Sequence, residues 1–111
     1  MFYVLEDGTI KLTRGDTARF SVNLSNDLTG SDYTMAVDDK ITFTVKKKVK
    51  DDAPLLQKIM IGYPVFHIKP EDTQDLSFGR YVYDVQIDTA SGDVYTIIEP
   101  STFEILKEVT R

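Results

Sequence analysis

With 111 residues the chain has room for one domain spanning 1–111, and a chain of that size buries roughly two-thirds of its unfolded surface without staples. The absence of cysteine excludes disulfides, thiolate metal sites and cysteine nucleophiles. A net charge of −5 opposes non-specific binding to nucleic acid or anionic lipid, because both repel an acidic surface.

The opening "MFYVLEDGTIKL" has no basic region before an apolar run, and nowhere does the chain approach the ~20 apolar residues of a membrane span. Synthesis in the cytoplasm without a signal peptide is expected, with neither nucleic acid nor membrane as a partner. "TIKLT" predicts a short strand through Ile10 and Leu12. "TARFSVNL" alternates Ala18, Phe20, Val22 and Leu24 with Thr17, Arg19, Ser21 and Asn23, the period of a half-buried strand. "ITFTVKK" repeats the design, with Ile41, Phe43 and Val45 inward and Thr42, Thr44 and Lys46 outward, in residues suited to a pleated surface. "PLLQKIMI" and "VFHIK" read as a strand pair around Gly62, Tyr63 and Pro64, since glycine and proline favour turns.

"KPEDTQDL" carries the one helical signal: Pro70 suits a first helical position, and Glu71 and Asp72 suit the positive N-terminal end. At most one short turn is expected, from Pro70 to Leu76. In "YVYDVQIDTASGDVYTII", Tyr81, Tyr83, Val85 and Ile87 alternate with Val82, Asp84, Gln86 and Asp88 before a turn at Gly92, which predicts a hairpin. "STFEILKEV" sets Phe103, Ile105 and Val109 against Glu104 and Glu108 as a closing strand. Turn signals at "RGDT", "SNDLTGSD", "VDDK" and "ASGD" recur at sandwich spacing. Together these features predict an all-β, immunoglobulin-like antiparallel β-sandwich of about seven strands.

Chemistry is sparsely marked. His67 is the single histidine and alternates out of the apolar face beside Lys69, a poor setting for a metal or a catalytic dyad. "DTASGD" has only fragments of a calcium loop and reads better as a turn. "KKKVK" lacks aromatic or basic company and is followed by Asp51 and Asp52, so it reads as a solvated strand end. "RGDT" matches an adhesive tripeptide but is ordinary turn chemistry. No serine stands in a nucleophile elbow and no glycine-rich phosphate loop precedes a helix. Neither an enzyme, a metal nor a cofactor is expected.

The segment "FHIKPEDTQDLSFGRYVYDVQIDTASGDVYTIIEPSTFEI", from Phe66 to Ile105, resembles Ig-like domains of tailed-phage tail and baseplate proteins, notably the N-terminal domain of baseplate upper proteins. An acidic turn leads into Leu76, Gly79 and Tyr81 before the hairpin. Gly79 and Tyr81 read as a partial tyrosine corner, with Ser77 two before the glycine, where an acidic residue is usual. The resemblance implies a non-enzymatic structural adaptor of a phage or prophage tail, either a baseplate subunit or a small tail accessory protein. It would be made in the bacterial host cytoplasm and built into the virion, with other tail or baseplate proteins as partners and self-association left open. Docking would use loops and sheet edges. The candidate is the N-terminal group Phe2, Tyr3, Val4 and Leu5, too apolar for a free tail, which either completes its own sheet or adds to a neighbour's. The alternative is an Ig-like carbohydrate-binding or adhesion module, with Tyr33, Tyr63 or Tyr95 as a stacking platform.

Overall fold

The computed structural model describes residues 2–21, 36–51 and 53–107 in full, and the backbone of 25–26 and 31–32. Val22, Leu24, Tyr33, Glu108 and Val109 lie outside the fully described residues. The strands are β1 (Phe2–Val4), β2 (Ile10–Thr13), β3 (Ala18–Ser21), β4 (Ser25–Asn26), β5 (Ser31–Asp32), β6 (Lys40–Lys46), β7 (Leu56–Ile61), β8 (Val65–Ile68), β9 (Gly79–Asp88) and β10 (Val94–Leu106). One helical turn, α1 (Pro70–Thr73), falls where the Pro-Glu-Asp signal predicts it.

The strands form a six-stranded sheet in the order β1-β2-β10-β9-β6-β7, a facing pair β3-β8, and the short pair β4-β5. The architecture is all-β and sandwich-like. Period-two alternation decides what is buried. Ile41, Phe43 and Val45 of β6 and Tyr81, Tyr83, Val85 and Ile87 of β9 point into the core, together with Ile10, Leu12, Phe103 and Ile105. From the facing pair, Ala18, Phe66 and Ile68 are buried and Phe20 packs partly buried against them.

Two expectations are corrected. The sandwich is not wholly antiparallel, because β2 and β10 pair in parallel, Phe103 opposite Ile10 and Ile105 opposite Leu12. Parallel neighbours need a long crossover connection, and here the rest of the domain supplies it. All other pairings among the described strands are antiparallel.

The second correction concerns β7 and β8, which are not a hydrogen-bonded hairpin. β7 pairs with β6, while β8 pairs with β3 in the other sheet. The chain crosses between layers at Gly62, whose φ of 85° is left-handed and whose amide donates to the Asp39 carbonyl at 2.9 Å. A Cβ there would stand 3.2 Å from the Val37 carbonyl oxygen, so the crossing needs glycine twice over. Crossing layers lets both segments contribute to one core: Leu56 from β7, and Phe66 and Ile68 from β8.

The β9–β10 hairpin closes as predicted, with the Gly92 amide donating to the Thr89 carbonyl at 3.0 Å and the Thr89 amide to the Asp93 carbonyl at 2.8 Å. Further along, the β10 register shifts between Thr96 and Ser101, a bulged stretch that accommodates Pro100, which cannot donate to the ladder. Phe43→Ala is expected to destabilise the fold by about 3–5 kcal/mol, through lost burial and the cavity left behind. Urea unfolding checks this as a lowered midpoint.

Candidate interaction surfaces

β1 is the outermost strand on its side of the large sheet and pairs with β2 of its own chain, Phe2 opposite Leu12 and Val4 opposite Ile10. Phe2 turns inward and stacks on Phe20 with ring centroids 5.6 Å apart. The other three predicted docking residues are exposed, Tyr3 at 46%, Val4 at 56% and Leu5 at 43%. The turn into β2 is held by the Leu5 amide on the Thr9 carbonyl, the Thr9 amide on Asp7 Oδ1 at 2.9 Å, and the Tyr83 hydroxyl on the Gly8 carbonyl. Hydrogen bonds from Thr9 lower the Asp7 pKa, and burial raises that of Tyr83. The strand is thus anchored by Phe2 and its turn, and among the described residues no further strand pairs with its outer edge.

Gly79 and Tyr81 lie at the start of β9. No atom would obstruct a Cβ at Gly79, so its φ of 135° is what favours glycine there. The Tyr81 ring is buried, and its hydroxyl donates to the Ser77 carbonyl at 2.7 Å. Beside it Arg14 donates to the Leu76 carbonyl and lies over the Phe78 ring, 4.3 Å from the centroid, while the Gly15 amide donates to Thr73 Oγ1 at 2.8 Å. The Arg-Gly-Asp tripeptide therefore commits Arg14 and Gly15 to contacts within the chain.

At the other end of the sheet, Asp39 organises three loops, a role its place in "VDDK" did not announce. It is 1% exposed, and its carboxylate accepts the Ala36 and Ala90 amides, each at 2.9 Å. Its own carbonyl accepts the Gly62 amide. Around this tie Val37, Ile61, Tyr63, Val94 and Tyr95 are all exposed. His67 is half-buried opposite Arg19 on the small sheet.

The face of the large sheet turned away from β3 and β8 carries a shallow depression of about 260 Å³, lined by Thr44, Lys46, Gln57, Asp84, Gln86 and Pro100 among others. Gln57 Nε2 donates to Thr44 Oγ1 at 3.1 Å. The Asp84 carboxylate has no hydrogen bond or ion pair among the described residues. Desolvation pushes its pKa up, and the nearby Lys46 charge partly opposes this.

Among the described residues no three His, Asp or Glu side chains gather as a metal site, and no helix is long and apolar enough to cross a membrane. No family model, curated protein or solved structure matches the chain.

Tyr81→Phe is expected to cost about 1 kcal/mol, the net value of one hydrogen bond, read as a lower denaturation midpoint. For Asp84, a folded pKa above the ordinary value of 3.8 means that ionisation disfavours the fold as pH rises through it. Asp84→Asn is therefore expected to raise the melting temperature at pH 7, with the gain vanishing below about pH 3.8, where the carboxyl is protonated in both states.

Proposed function

We propose that the chain is a non-enzymatic structural adaptor of a phage or prophage tail, a baseplate or tail accessory component that acts through protein–protein contacts. The observation that carries this reading is β1. A strand anchored by the partly buried Phe2, whose outer edge meets no further strand among the described residues, and which carries exposed Tyr3, Val4 and Leu5, suits strand addition by a neighbouring protein. The Phe66 to Ile105 resemblance supplies the biological setting, with partners among other tail proteins in a virion assembled from the bacterial cytoplasm. An acidic, cysteine-free β-sandwich suits a rigid spacer whose work is done at its edges.

One observation favours a second reading. Tyr63 and Tyr95 are exposed, as a glycan-stacking platform would need, and binding on a glycan array abolished by Tyr63→Ala or Tyr95→Ala would establish it.

For the tail reading, mass spectrometry of purified particles is expected to detect the chain, and its reproducible absence despite good expression would refute the proposal. Val4→Lys with Leu5→Lys places charge on the open edge while leaving Phe2 in place. The double variant is expected to fold with an unchanged melting temperature and to be lost from particles.

A further inference from the structure

The outer face of the large sheet has an arrangement that the adaptor reading does not use. At the Asp39 end, one row of outward side chains crosses four neighbouring strands, fixed by the pairings of Ile61 with Lys40, Lys40 with Asp88, and Asp88 with Val94. The row reads apolar, cation, anion, apolar. Lys40 Nζ lies 3.3 Å from Asp88 Oδ2, and both side chains stay about two-fifths exposed. At its ends Ile61 and Val94 are 60% and 61% exposed, so the central ion pair is flanked on both sides by an apolar side chain.

We propose that this face of β7, β6, β9 and β10 is an interface with a second copy of the chain. The occupant follows from the symmetry of the charges. A two-fold axis along the strands, between β6 and β9, reverses the row, so Lys40 meets the partner's Asp88, Asp88 meets the partner's Lys40, and Ile61 meets the partner's Val94. Every position in the row gains a complementary neighbour, as an isologous contact requires. The same operation carries the next row, Ile59, Thr42, Gln86 and Thr96, onto itself with Thr42 against the partner's Gln86. It also sets the partner's Thr44 over Asp84, offering a hydroxyl donor to a carboxylate that has none among the described residues. A neutral or single-signed partner would leave half of this pattern unmatched.

The patch is small. Four strands at about 4.8 Å spacing and six or so residues along each give on the order of 400 Å² per copy, about half of a standard interface. Association is therefore weak, populated at hundreds of micromolar and largely lost at about 10 micromolar. This inference does not depend on the tail reading.

Sedimentation equilibrium of the full chain, from about 10 micromolar to 1 millimolar, tests it. The wild type is expected to rise from its monomer mass of 12.6 kDa toward twice that value. Lys40→Asp and Asp88→Lys each place like charges across the axis and are expected to weaken self-association at least about tenfold. An equimolar mixture of the two variants is expected to recover it, because Asp at 40 then faces Lys at 88 across the mixed pair. Glu71→Lys, on α1 away from the face, changes net charge by the same amount as Asp88→Lys and is expected to leave association unchanged. Circular dichroism confirms that each variant is folded. A wild type that stays monomeric at 1 millimolar overturns the proposal. So do single variants that associate like the wild type, or a mixture that fails to recover.

Discussion

The contact on which the rest of the molecule depends is the Phe43 ring. It lies between the two sheets, 5.6 Å from Phe66 and 5.5 Å from Phe20 on one side, and 5.3 Å from Tyr83 and 5.9 Å from Phe103 within its own sheet. A pair as small as β3-β8 cannot enclose a core by hydrogen bonding. It is held by rings meeting edge-on and tilted, where area burial is supplemented by aromatic geometry. Phe2 extends the same cluster outward through Phe20, so the outermost strand is tied to the centre through side chains as well as through its ladder.

Around that cluster the polar side chains do two jobs. Some close the ends: Asp39 satisfies two loop amides in a buried site, Thr73 receives the Gly15 amide, and Tyr81 holds the approach to β9. A buried carboxylate is tolerated only when its acceptors are filled, and Asp39 meets that condition with one donor from its own turn, Ala36, and one from far along the chain, Ala90. Others mark the surface. Lys58 bridges Asp72 at 2.7 Å, linking β7 to α1 on the side where that strand ends the sheet. Lys11 and Arg80 both reach Glu104 across the β2, β10 and β9 ladders. The two pairs to Glu104, more open to water, contribute little to stability, but they fix which side chains stand where on the outer face.

The faces of the strands were legible in the sequence because alternation is a local property. Phe43, Val45, Tyr81, Val85, Ile87 and Phe103 all read as inward and all are buried. The partner of each strand was not legible. The alternation of "PLLQKIMI" is satisfied equally by a hairpin with "VFHIK" or by a place beside β6, and only the need to roof Phe43 with Phe20 and Phe66 separates the two. The parallel β2–β10 pairing joins segments with no sequence relation to each other. Asp39 looked like any turn aspartate, since its burial comes from Ala90 in a hairpin far along the chain. Of the surfaces, the apolar N-terminus stood out by composition, whereas the Ile61, Lys40, Asp88 and Val94 row exists only once four strands are aligned.

The parallel pairing of β2 with β10 also bears on how the protein comes to be folded. On the edge of β2 away from β1, Ile10 and Leu12 find their sheet neighbours in Phe103 and Ile105, far along the chain. A chain emerging from the ribosome therefore leaves this edge of β2 without its partner until β10 has been synthesised. Contacts so distant in sequence make folding slow, and the β1–β2 hairpin spends that interval as an open edge able to pair with other nascent chains. Its brevity and the Lys11 in its outward row limit that hazard before β10 arrives to cover it.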